Sequence, residues 1–249
     1  MEYTDIHIHA LFGVDDGAKT EEEMYAIVDQ AYRDGARTLC LTPHFHPGYF
    51  GDHTDKADAA FALLCQYAQK RYPELCLCLG NELRYSRDCV SWLEEGRCRT
   101  LNQTRYVLVD FSEREEERIV VTGLERLLNA GYVPVLAHAE RYLNLDPEMR
   151  RLREFRENGV LIQVDVQSVF GGFGFRTKRR AKAILSSHLA DFVASDAHDV
   201  TQRPPGLSAG HRYIAKKCGM VYADAVCREN ALRMLQGYAV RKETTKSNA

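Results

Sequence analysis

The chain has 249 residues, 45% hydrophobic and 27% charged, with a formal net charge of −2; that is enough apolar material for one α/β domain with a sizeable core, and it excludes wholesale disorder. The lack of a basic surplus disfavours a protein that lives on a nucleic-acid backbone. The eight Cys show no disulfide-framework or zinc-ribbon spacing, and no apolar run is long enough to span a bilayer.

In chain order, strand and helix signals alternate. Residues 4–8 read as a short strand. Thr20-Glu21-Glu22-Glu23 is a capping box, after which Met24, Ile27, Val28, Ala31 and Tyr32 fall at helical spacing until Gly35 stops the helix. Residues 38–42 form a buried-type strand ended by Pro43. A helix is expected over 55–72 and a strand over 75–79, in which Cys76 and Cys78 should face the same way into packing. Strands follow at 106–111, 133–137, 160–166 and 191–194. Helices are expected up to 128, from about 148 to 159, over 178–187, 208–218 and 222–235. Arg176, Lys178, Arg179, Arg180 and Lys182 make a basic run that reads as a solvated helix face. Residues 1–240 form one domain, and 241–249 a polar, fraying tail.

Seven strands alternating with helices argue for a parallel sheet closed, or nearly closed, into a barrel. No Gly-x-Gly-x-x-Gly follows the first strand, so a dinucleotide-binding sheet loses support. No secretory signal opens the sequence, so a cytoplasmic location with reduced Cys is the expectation.

The informative pattern is positional. His7 and His9 end the first strand, His44 follows the second, Glu82 the third, Asp110 closes the fourth, His138 follows the fifth, and Asp196 and His198 follow the seventh. Strand C-termini share one rim of a parallel barrel, where the chemistry sits. In His7-x-His9 the period-two alternation puts both imidazoles on one side. Five of the nine His fall at this rim. Asp15-Asp16-Gly17 reads equally well as an Asx turn. Among the other His, His53 reads as loop, His188 and His211 as helix or helix-end surface, and His46 as lining the mouth.

Nitrogen and carboxylate ligands without thiolates suit Mn, Fe or catalytic Zn better than structural zinc. About eight candidate ligands are too many for one ion and fit two or three ions, which activate water and clamp the oxygens of an in-line displacement. Arg141, three residues after His138, and Arg203, before Pro204-Pro205, carry planar forks matched to phosphate. An amidohydrolase-type barrel would want a bridging Lys after strand four and a His after strand six, where this chain has Asp110 and 163–167 without His.

Taken together, Asp5-Ile6-His7-Ile8-His9, Asp15-Asp16-Gly17, Thr42-Pro43-His44, Asn81-Glu82, Ala137-His138-Ala139-Glu140-Arg141, Ser195-Asp196-Ala197-His198 and Arg203-Pro204-Pro205 resemble the PHP (polymerase and histidinol phosphatase) superfamily. More narrowly, over about residues 3–236, they are similar to the bacterial manganese-dependent protein-tyrosine phosphatases of capsule and exopolysaccharide operons. The resemblance implies a distorted parallel (β/α)7 barrel, TIM-like, with a three-metal site. It places His7, His9, Glu82 and Asp196 on a first metal, Glu82, Asp110 and His138 on a second, and Asp16, His44, Asp110 and His198 around a third. It gives Arg141 and Arg203 to phosphate binding, with Asp196 and His198 available to the leaving group. It implies hydrolysis of phosphotyrosine on the Tyr-rich tail of a bacterial tyrosine kinase, and leaves room for a homo-oligomer. A small-molecule PHP phosphatase, such as one acting on histidinol phosphate, is the alternative. The chain departs from the family where Asp110 replaces a common Glu, Ala139 a common Pro and Asp199 a common Asn.

Overall fold

The structure, a computed structural model, describes residues 2–51, 53–145 and 149–240. The expected tail at 241–249 and the expected helix start near 148 lie outside the described residues.

Among the described residues nine strands run parallel: β1 (Tyr3–Ile8), β2 (Ala36–Leu41), β3 (His44–Phe45), β4 (Cys76–Leu79), β5 (Glu82–Arg84), β6 (Tyr106–Asp110), β7 (Val133–Leu136), β8 (Leu161–Asp165) and β9 (Phe192–Ala194). They make a sheet in the order β1-β2-β4 and another in the order β3-β5-β6-β7-β8-β9. The nine strands are the seven expected ones with two of them broken. Pro43, which has no amide hydrogen to donate to a ladder, interrupts the second. Gly80 interrupts the third, where a Cβ would lie 2.8 Å from the Leu101 side chain. Asn81 ties both breaks together, its Nδ2 donating to Pro43 O (3.0 Å) and its Oδ1 accepting from Arg99 N (2.8 Å). Each break shifts the strand ends, so His44 and Glu82 pair side by side at the top of the second sheet.

The first and last strands approach each other. Ile8 bridges to Ala197. His9 N donates to Ala197 O (2.9 Å) and Asp196 N to His7 O (2.8 Å). The result is a curled parallel sheet whose strand ends converge.

Alternation does the rest. On one face Leu108, Val135, Leu161 and Phe192 form an apolar floor with Ile6 and Cys40, closed below by Met234 and Leu235. One strand pleat higher, the same columns deliver Asp110, Ala137, Gln163 and Ala194, then Asp165 and Asp196. The opposite face, with Val107, Val109, Leu136, Ile162, Val164 and Val193, packs against helices.

Those helices are α1 (Glu21–Arg33), α2 (Thr54–Arg71), α3 (Cys89–Glu94), α4 (Glu117–Asn129), α5 (Arg150–Glu157), α6 (Val166–Phe170), α7 (Gly174–Ser186), α8 (Leu207–Cys218), α9 (Met220–Asp224) and α10 (Asn230–Leu235). Thr20 Oγ1 accepts from Glu23 N (3.3 Å), as the capping box predicts, while Glu23 reaches back to Lys19 N (2.6 Å). Burying Met24, Ile27, Val28 and Ala31 of α1 stabilises it by about 1.5–3 kcal/mol per large side chain.

Several expectations need correcting. The helix foreseen over 222–235 is two helices joined by a π-helical turn at Ala225–Glu229. α7 begins four residues before 178, and α3 and α6 carry too little periodicity to show. Cys76, the first residue of β4, is exposed, and Cys78 is only partly buried. His211 is buried, with Nε2 2.7 Å from Asp224 Oδ1, rather than on a helix surface. All eight Cys are free.

Candidate active site

Every sequence-nominated ligand reaches the converged strand ends, and three clusters result. His7, His9, Glu82 and Asp196 bring one ligand atom each within 4.8 Å of the others; so do Glu82, Asp110 and His138; so do His9, Asp16, His44 and His198. The last cluster corrects the expected grouping: its fourth corner is His9, while Asp110 stays with Glu82 and His138. Asp110 is drawn to that side by Tyr142, whose hydroxyl donates to Oδ1 (2.9 Å), and by Arg84 Nη2 at 3.0 Å from Oδ2.

The donor atoms suit cations. His7 Nε2, His9 Nε2 and His44 Nδ1 lie 3.2, 3.3 and 2.9 Å from Glu82 Oε2. Yet that oxygen is fully buried and makes no hydrogen bond of acceptable angle. Asp196 Oδ1 is 3.3 Å from both His7 Nε2 and His9 Nε2. Lone pairs from several sides converge on common points, as a shared ion requires and a hydrogen-bonded core does not.

The far nitrogens are fixed as metal-ligating imidazoles need. His9 Nδ1 lies 2.7 Å from Asp15 Oδ2, leaving Nε2 for the cluster. Gln163 Oε1 receives His138 N (2.8 Å) and faces His7 Nδ1 (3.2 Å). Asp15 also accepts from Gly17 N and His44 N (both 2.9 Å), so the Asx turn and the ligand bracing are one structure. His138 and Asp196 sit at φ 33° and 50°, strained for non-glycine residues, and the turn each makes aims its side chain across the rim.

The electrostatics pit protons against cations. Burial pushes Asp110 up, and the neighbouring Glu82 adds to it, reaching about 7. Burial also pulls His138 down, helped by Arg141, to about 4, so its imidazole is neutral. For Asp196, burial is outweighed by His7, Arg141 and Arg203, which hold it well below the usual carboxylate range. His9 is held protonated against burial, chiefly by Asp15. A cation here would displace that proton and the one on Asp110.

Both arginines reach the same cleft. Arg141 Nη2 donates to Asp165 and to Asp196 Oδ2 (2.6 Å), and Arg203 Nη2 donates to that same Oδ2 (2.5 Å). The cleft, about 150 Å³, is bordered by Arg84, Glu113, His138, Arg141, Asp196 and Arg203. The Phe173 ring covers the Arg141 guanidinium at 3.8 Å. Gln163, Asp165, Tyr142, Arg84 and Phe173 touch the candidate ligands or arginines and are not singled out by the sequence pattern, while Asp15 showed there only as part of a turn motif. Gln163 and Asp165 did carry a signal: two polar residues at i, i+2 in an otherwise apolar strand. His46 stacks on Tyr49 (5.9 Å) outside this cleft's lining.

A family model described as capsular polysaccharide synthesis, CpsB/CapC, matches residues 3–236. Tyrosine-protein phosphatase CpsB of Streptococcus agalactiae serotype III is 34% identical over 241 residues, covering 95% of this chain and 99% of the relative. Its Streptococcus pneumoniae counterpart is 35% identical over 236 residues, 93% and 97% of the two chains. A solved chain from work on YwqE of Bacillus subtilis and CpsB of Streptococcus pneumoniae, described as unique metal-dependent tyrosine phosphatases, superposes with a TM-score of 0.84. That match has 28% identity over 97% of this chain and 96% of the other.

Proposed function

Because this chain belongs to the capsular polysaccharide synthesis CpsB/CapC family, we infer that it is a metal-dependent protein-tyrosine phosphatase, a phosphoric monoester hydrolase. The observation that carries the chemistry is two guanidiniums, Arg141 and Arg203, beside three convergent ligand clusters in one cleft. The finer reading is a distorted seven-stranded PHP-type barrel with two or three ions, Mn2+ by the family resemblance, the N/O donor set suiting Fe or catalytic Zn as well. His7, His9, Glu82 and Asp196 would hold one ion, Glu82, Asp110 and His138 another, and His9, Asp16, His44 and His198 a third. Bound ions supply activated water at neutral pH and neutralise phosphoryl charge.

The chain's own residues do the positioning. Asp196, held ionised, anchors both arginines by one oxygen. Their remaining N–H groups are then free to meet equatorial phosphoryl oxygens as charge develops. With Asp196 held ionised and His198 in a ligand cluster, the leaving group departs without a protein acid, which a phenolate with conjugate acid near pKa 10 tolerates. The physiological substrate in this reading is a phosphotyrosine protein of capsule synthesis, a tyrosine kinase tail, and the site works in the cytoplasm. Among the described residues no helix is long and apolar enough to cross a membrane.

The purified holoenzyme should hydrolyse a phosphotyrosine peptide at least about tenfold better, in kcat/KM, than histidinol phosphate. A preference for histidinol phosphate would replace this reading with that of a small-molecule phosphatase.

A further inference from the structure

A second groove lies on α7, the helix packed against the Ala139–Arg141 turn, and is not used by the chemistry above. It has a volume of about 350 Å³ and is lined by Leu143, Met149, Phe175, Arg176, Arg179 and Arg180. Two chain segments tie it to the active site. Leu143 stands two residues after Arg141, and Phe175 two residues after Phe173, whose ring lies on the Arg141 guanidinium at 3.8 Å. Each offset is two Cα steps of about 3.8 Å, a span that an extended peptide can follow from the cleft to the groove.

The lining is of two kinds. Phe175 (76% exposed) and Leu143 (41% exposed) present uncovered apolar surface. Arg176 and Arg179 are exposed and, among the described residues, make no ion pair or hydrogen bond. Arg180 is braced on Leu145 O (3.0 Å). Ordinary surface arginines on a helix need no such neighbours. A carboxylate side chain would engage the guanidiniums and leave the apolar wall bare, whereas a phosphorylated aromatic ring uses both.

We propose that this groove binds a second phosphotyrosine of the same polypeptide while the first is hydrolysed, with Arg176 and Arg179 on its phosphoryl group and Phe175 and Leu143 against its ring. The inference rests on the protein-tyrosine phosphatase reading of the neighbouring cleft.

The test uses the metal-loaded enzyme and peptides carrying one phosphotyrosine, with phosphonomethylphenylalanine, Glu or Ala three residues away. The non-hydrolysable phosphonate should lower KM about tenfold relative to Ala with kcat unchanged, a size fitting one exposed charge-assisted contact, and Glu should gain less than about twofold. The double variant Arg176→Ala/Arg179→Ala should lose the phosphonate gain while turning over free phosphotyrosine like the wild type. No KM gain in the wild type, or a gain that survives in the double variant, overturns the inference. An equal gain with Glu shows a groove that reads negative charge alone, and the phosphotyrosine assignment falls. If the wild type hydrolyses none of the phosphotyrosine peptides, the phosphatase reading fails and takes this inference with it.

Discussion

Asp196 is the residue on which the site turns. One oxygen faces His7 and His9, the other holds both Arg141 and Arg203. Metal assembly and phosphate binding therefore meet at one carboxylate but use different residues, and they are separable. Arg141→Ala and Arg203→Ala should keep metal content and lose about 10²- to 10³-fold in turnover, as for removal of an oxyanion donor. Lys at either position should rescue only in part, since an ammonium cannot make the bidentate contact. Parallel elemental analysis and rate measurements check this; loss of metal in the Arg variants would make them scaffold.

A second residue sets a pH dependence. Burial pushes Asp5 from 3.8 up to about 6, against the hydrogen bonds it accepts from Ser195 N and His7 N. The folded state thus keeps a proton that the unfolded chain releases. This contribution is fully present below about pH 3.8 and is lost as pH rises through about 6. Asp5→Asn keeps an acceptor oxygen and removes the titration. In metal-free protein the variant's melting temperature should gain on wild type between pH 4 and 6, by up to about 3 kcal/mol equivalent. Parallel curves would show that Asp5 does not titrate there.

At the scale of elements, the strands were legible because parallel, doubly covered strands are apolar runs bounded by Gly and Pro. The same grammar placed His7, His44, Glu82, His138 and Asp196 at strand ends, and these residues do converge. What was not legible depends on neighbours distant in sequence. His211 looks like a surface residue until Asp224, from the next helix, reaches it. Asp15 and Asp16 look alike in sequence, yet Asp15 is buried behind His9 while Asp16 faces His44 and His198 from the half-exposed side. Asp110 groups away from Asp16 because Tyr142 and Arg84 pull it aside.

The β1–α1 loop gives a sharp test at this scale. A Cβ at Gly17 would lie 2.0 Å from His9 O and 2.7 Å from His9 Cβ. Backbone has no room to yield there, so Gly17→Ala must displace His9, which like Glu82 is shared by two clusters. The variant should lose at least about tenfold in metal affinity with a cooperative melt retained. Unaltered metal affinity would mean that His9 is not a ligand.

For the whole molecule, the curled sheet creates a basin of buried His, Asp and Glu that a folded chain tolerates at a cost unless cations are shared among them. Stability and activity should then depend on the same ions. That dependence is measured by stripping metal with a chelator and following two quantities as Mn2+ is restored: turnover of a phosphotyrosine peptide and melting temperature. Stripped protein should be inactive and melt lower, and both properties should return together as two to three ions bind per chain, since a ligand held by the folded state alone stabilises it by mass action. Full turnover in protein that retains less than one ion per chain would contradict it.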